Sequence, residues 1–66
     1  MSDTFKISLA SARVNAQMTQ QQAAEAMKVS KSTIVAWEKG KAEPRASQIE
    51  MLCNLYRVPI QCIFLN

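Results

Sequence analysis

Met18–Pro44 reads MTQQQAAEAMKVSKSTIVAWEKGKAEP, and the order of caps, small residues and stops in it decides the fold. Thr19 and Gln22 make a T-x-x-Q capping box, in which hydroxyl and side-chain amide each serve the other residue's backbone N–H. Met18 is placed to staple onto Ala23, and Ala23, Ala24 and Met27 face inward. A second helix opens at Ser30, with Val29 placed to staple onto Ile34. Ile34 and Trp37 point to the core, and Gly40 is a left-handed stop. The two alanines let the helix backbones cross closely, and Lys28–Val29 with the Ser30 cap is a turn of the length a helix-turn-helix needs.

Outward from this stretch the chain reads as further helices. A first segment, about Thr4 to Asn15, sets Phe5, Leu9, Ala12 and Ala16 on one stripe at helical period. A fourth, roughly Arg45 to Tyr56, carries Ile49, Leu52, Cys53 and Tyr56 on one face. Its start has two readings: Ser47 and Glu50 form an S-x-x-E box, yet Ala46 fits the apolar stripe one turn earlier. A short fifth segment, Pro59 to Leu65, has proline in its first turn and Ile60, Ile63 and Phe64 as its apolar residues. The expectation is a compact all-α domain of five helices occupying residues 1–66 as a single unit.

Composition agrees and narrows the function classes. Sixty-six residues make one small domain, 48% hydrophobic, with a single glycine and scattered β-branched residues. No apolar run approaches the ~18 residues of a membrane span. The start, MSDTFKISLA, lacks the charged lead, apolar stretch and cleavage site of a secretory signal, so a cytoplasmic protein is expected. Cys53 and Cys62 have no histidine to join them in a metal site and read as buried free thiols. With no histidine, no carboxylate pair in a plausible pocket and no glycine-rich phosphate loop, enzymatic chemistry is excluded and no cofactor is expected.

The formal charge is +3, from eight Lys/Arg against five Asp/Glu. Its placement says more than its size. Lys28, Lys31, Lys39, Lys41 and Arg45 fall in one stretch with two acids, Glu38 and Glu43. That cluster coincides with the second helix of the pair and the loop after it, which favours a polyanion over an ordinary solvated face. With Ile34 and Trp37 inward, Ser32, Val35, Ala36 and Lys39 face outward, and Lys31 lies at the N-terminal end. Short polar groups beside small apolar ones suit thymine methyls and base edges in a major groove. An equally weighted reading is that singly exposed Val and Ala need no explanation.

The ordered set Met18-Thr19-Gln20, Ala23-Ala24, Met27, Val29-Ser30-Lys31-Ser32-Thr33-Ile34, Trp37-Glu38-Lys39-Gly40 and Pro44 resembles the XRE-like family of phage repressors and Cro proteins, whose DNA-binding domain is five helices. The likeness continues through Ile49, Leu52, Cys53, Tyr56, Val58, Ile60, Ile63 and Phe64. It implies a sequence-specific regulator of double-stranded DNA, a repressor or Cro-like switch from a prophage or mobile element. By the same resemblance Gln20 would meet the DNA backbone. Lys31, Ser32 and Ala36 match the principal base-reading positions, with Thr33 and Val35 beside them, while Lys39 and Lys41 match positions over phosphates. Arg13 and Glu38 match an internal salt bridge of relatives, and Trp37 a core position.

Three departures stand out. Lys28 occupies a turn position that the family usually gives to glycine, and a left-handed lysine there would cost ~1 kcal/mol. Arg57 replaces the usual glycine or asparagine after the fourth helix. Cys62 replaces an acidic residue of the last helix, so Ile60, Cys62 and Leu65 are expected to support a dimer contact. No further domain is expected after Asn66, and with it a weak homodimer through helix five is expected, completed on a near-palindromic operator with half-sites ~34 Å apart. An antitoxin or protein-interaction adaptor using the same fold is the alternative class.

Overall fold

The computed structural model describes residues 6–64. In order they form β1 (Ile7–Ser8), α1 (Leu9–Asn15), α2 (Gln20–Met27), α3 (Lys31–Lys39), α4 (Ala46–Tyr56), a single 3₁₀ turn (Ile60–Cys62) and β2 (Ile63–Phe64). The domain is all-α in substance, but with four α-helices among the described residues, not five. β1 and β2 pair in parallel, Ile7 opposite Ile63 and Ser8 opposite Phe64. Beside them the Lys6 ammonium donates to the Gln61 carbonyl at 2.8 Å.

Both terminal segments therefore differ from their helical expectation, for physical reasons. Ser8 caps α1 from an extended backbone, accepting the Ser11 amide on its Oγ at 3.1 Å. The helix consequently opens at Leu9 rather than at Thr4, and the first two members of the expected segment, Thr4 and Phe5, lie outside the described residues. The last segment follows Pro59 with Ile60, Ile63 and Phe64, β-branched or aromatic residues in too short a run to sustain an α-helix. It makes one 3₁₀ turn and then pairs with Ile7, which is buried. Leu65 lies outside the described residues.

The core is built from one face of each helix: Leu9 and Ala12 from α1, Ala23, Ala24 and Met27 from α2, Ile34 and Trp37 from α3, Leu52 and Tyr56 from α4. Ala23 and Ala24 are essentially inaccessible, as a close crossing of α2 and α3 requires. Ile49 is only half-buried and Ala46 is exposed. Neither reading of the α4 start holds fully. Arg45 is the cap residue, and its backbone N–H donates to Gln48 Oε1 at 2.8 Å rather than Ser47 pairing with Glu50. A guanidinium has no acceptor to return the bond, so this is half of a capping box.

All four helices end alike. A residue in the left-handed region (Gln17, φ 60°; Lys28, φ 60°; Gly40, φ 77°; Arg57, φ 61°) turns the chain. The next amide then reaches back to the helix: Met18 N–H to Arg13 O at 3.2 Å, Val29 to Ala24 at 3.0 Å, Lys41 to Ala36 at 2.9 Å and Val58 to Cys53 at 3.0 Å. This six-to-one closure satisfies carbonyls that a helix end would leave bare. Lys28 and Arg57 are left-handed as their positions imply, and Gln17 joins them.

Candidate nucleic-acid interface

α3 presents two sides of opposite character. Ile34 (1% exposed) and Trp37 (6%) seal the inner side against the core. Lys31, Ser32 and Lys39 are exposed, while Thr33, Val35 and Ala36 are half-buried. Five of these six, Lys31, Ser32, Val35, Ala36 and Lys39, recur at three- and four-residue intervals and so share the face turned from the core. Lys41 is exposed in the loop just past the stop. The other expected contact, Gln20, stands apart from this row at the first position of α2, half-buried.

The N-terminal end of α3 gathers hydroxyls. Ser30 Oγ accepts the Thr33 amide at 3.2 Å and lies 3.0 Å from Ser32 Oγ and 2.9 Å from Thr33 Oγ1. A serine hydroxyl has one proton to give, so Ser30 donates to one of these neighbours at most and accepts from the other. The neighbour that receives Ser30's proton keeps its own free for another acceptor. Ser32 can thus meet a base edge as donor or as acceptor by rotating two hydroxyls. Ser30, noted in the sequence only as a cap, belongs to this cluster.

Behind the face, Arg13 of α1 and Glu38 of α3 form an ion pair, Nε to Oε2 at 2.7 Å with Nη2 to Oε1 at 3.4 Å. The side chains are 14% and 8% exposed. The hydrogen bond to Glu38 raises Arg13 above its ordinary value, against the opposing effect of burial. Arg13 Nη1 also donates to the Met18 carbonyl at 2.8 Å, just ahead of the α2 cap. Gln20 joins the same carboxylate, its Nε2 donating to Glu38 Oε1 at 3.0 Å. Sequence spacing gave no hint of this contact. Tyr56 is pushed up to about 12, first by burial and then by the charge of Glu38.

The expected caps are in place: Thr19 and Gln22 exchange bonds at 3.0 and 2.9 Å, and Gly40 stops α3. Cys53 is buried, and burial raises its thiol; Cys62, expected in the core, is half-buried, and both are free thiols. Among the described residues no group of His, Cys, Asp and Glu is arranged to hold a metal ion. No helix among them is long and apolar enough to cross a membrane.

A family model for the helix-turn-helix matches residues 9–61, from the first residue of α1 to the 3₁₀ turn. The chain belongs to the XRE-type helix-turn-helix family. No curated protein and no solved structure matches it. Members of this family bind double-stranded DNA as regulators and are not enzymes, so α2 and α3 are the helix-turn-helix of a DNA-binding regulator. In that arrangement the second helix is the one that enters the major groove.

Proposed function

We propose that this XRE-type regulator is a repressor or Cro-like protein that reads a near-palindromic operator with the outer face of α3, residues 1–66 working as one domain. The observation that carries the reading is the separation of faces on α3. Lys31 and Ser32 stand clear of the core at the end that enters a groove first, with Val35 and Ala36 a turn behind. Lys31 donates to guanine O6 and N7, Ser32 meets base edges, and Val35 and Ala36 offer apolar contact to thymine methyls, with Thr33 beside them. Lys39, Lys41 and Gln20 lie over phosphates and set affinity and register rather than sequence.

Two copies related by a two-fold axis would place their α3 helices one DNA turn, ~34 Å, apart. The C-terminal segment supports such a pairing in a form other than a fifth helix: Ile60 is 51% and Phe64 44% exposed. A pairing that rests on so few exposed apolar residues is weak in solution and completed on DNA. Sedimentation at rising concentration, with and without operator, is expected to show a monomer–dimer equilibrium that DNA drives to the dimer. A tight dimer unaffected by Ile60→Asp would overturn this mode of pairing. For the reading of α3 itself, Lys31→Ala and Ser32→Ala should each lose about 1–3 kcal/mol of operator preference. Retention of full preference by both would refute it.

A further inference from the structure

We infer that Glu38 is a positioning residue for DNA binding, because its carboxylate fixes which way the Gln20 side-chain amide is turned at the start of α2. The inference rests on the proposed contact between Gln20 and the DNA backbone. Gln20 Nε2 lies 3.0 Å from Glu38 Oε1. An ionised carboxylate only accepts hydrogen bonds, so the amide must turn its NH₂ and not its oxygen toward Glu38. A glutamine amide that nothing holds rotates between two broad, roughly equivalent orientations about its last torsion. In the orientation opposite to the one held, Oε1 would take the place of Nε2 and meet a phosphate beside it, oxygen against oxygen. With one N–H on Glu38, the second N–H of the same nitrogen remains to donate to an anion.

The arrangement is anchored on both sides. Arg13 holds Glu38 through Nε at 2.7 Å and Nη2 at 3.4 Å, and it holds the Met18 carbonyl through Nη1 at 2.8 Å. One guanidinium therefore ties Glu38 to the same end of α2 that Gln20 opens. Its positive charge also offsets a carboxylate that would otherwise repel an approaching phosphate. An ion pair that merely joined α1 to α3 would have no need of the Gln20 bond. Here it ends on the residue whose donor has to be aimed.

The test is a double-mutant cycle read by fluorescence anisotropy on a mixed-sequence duplex at low salt. Glu38→Gln is the informative partner. Arg13 claims the one side-chain oxygen of the new amide, whose NH₂ then faces Gln20 and turns that residue over. In the wild-type background Gln20→Ala should weaken binding roughly tenfold, the loss expected for a hydrogen bond to a charged group. In the Glu38→Gln background the same change should cost less than about threefold. An equal loss in both backgrounds overturns the positioning role and leaves the phosphate contact standing. No loss from Gln20→Ala in the wild-type background overturns the phosphate contact, and the inference with it. Should Glu38→Gln fail to fold, NMR of the unaltered protein decides the matter through the two Nε2 protons of Gln20. One is expected downfield and slow to exchange in the free protein, with the other moving as duplex is added. Two Nε2 protons with the shifts and exchange rates of a solvent-exposed glutamine amide would overturn the inference.

Discussion

The stop after α2 and the stop after α3 share one backbone geometry and differ in what their side chains do. After α2, Lys28 takes the left-handed position and Val29 packs against the core. After α3, a glycine takes that position and Lys41 follows it into solvent. The stops after α1 and α4 side with the first, through Gln17 then Met18 and Arg57 then Val58, with Met18 and Val58 packed on the core. An apolar residue after the turn pins the chain and sets the angle at which the next segment leaves. Between α2 and α3 that angle aims the reading helix, so the joint closes onto the core. Beyond α3 there is no further helix to aim at the groove, and the position is given to a cation.

The sharpest way to break this comparison is to place the same charge at both stops. Val29→Asp should cost about 2 kcal/mol in urea unfolding, because a carboxylate enters a half-buried site beside helix carbonyls. Lys41→Asp should change stability by less than roughly 0.5 kcal/mol while sharply weakening DNA binding. Similar unfolding losses from the two would abolish the distinction.

The stop after α4 supplies a pH test. Tyr56, its last helical residue, is raised from 10.0 to about 12. A folded-state value above the unfolded one means that the stabilisation is complete below pH 10 and lost as pH climbs through 12. The loss should reach at most roughly 2.7 kcal/mol, at 1.36 kcal/mol per unit. The chain has one tyrosine, so absorbance at alkaline pH reports it directly; a midpoint at the ordinary phenol value would contradict the burial described for it.

Smaller effects follow from the left-handed residues themselves. Gly40→Ala should destabilise by ~1 kcal/mol, and Lys28→Gly should stabilise by ~0.5–1 kcal/mol, since a Cβ is disfavoured in that region. Thermal melts of the pair should move in opposite directions. Smallest in stability is Lys41→Ser, which should leave the melt unchanged and reduce the salt slope of DNA binding by ~0.9.

The helix-turn-helix was legible in the sequence because its determinants are local. Thr19 and Gln22, Ser30, Gly40 and the inward pair Ile34 and Trp37 each act within one or two turns of themselves. The ends of the domain were not legible for the opposite reason. Ile7 meets Ile63 across nearly the whole chain, and a two-residue strand is too short to display alternation, so Phe5–Leu9 spacing read as helix. Gln17 carries no chemical mark of a left-handed turn. Of the candidate site, the row on α3 turned from the core followed from placing Ile34 and Trp37 inward. The bond from Gln20 to Glu38 did not, because it depends on how α2 crosses α3 and not on any spacing along either.

The measurement that bears most directly on the outer face of α3 is selection of bound duplexes from a random pool, run in parallel for the unaltered protein and for Lys31→Ala/Ser32→Ala. The unaltered protein should recover a near-palindromic consensus with half-sites one helical turn apart. The double variant should keep much of its affinity for bulk DNA and lose that consensus. Recovery of the same consensus by both proteins would show that sequence is read elsewhere on the molecule.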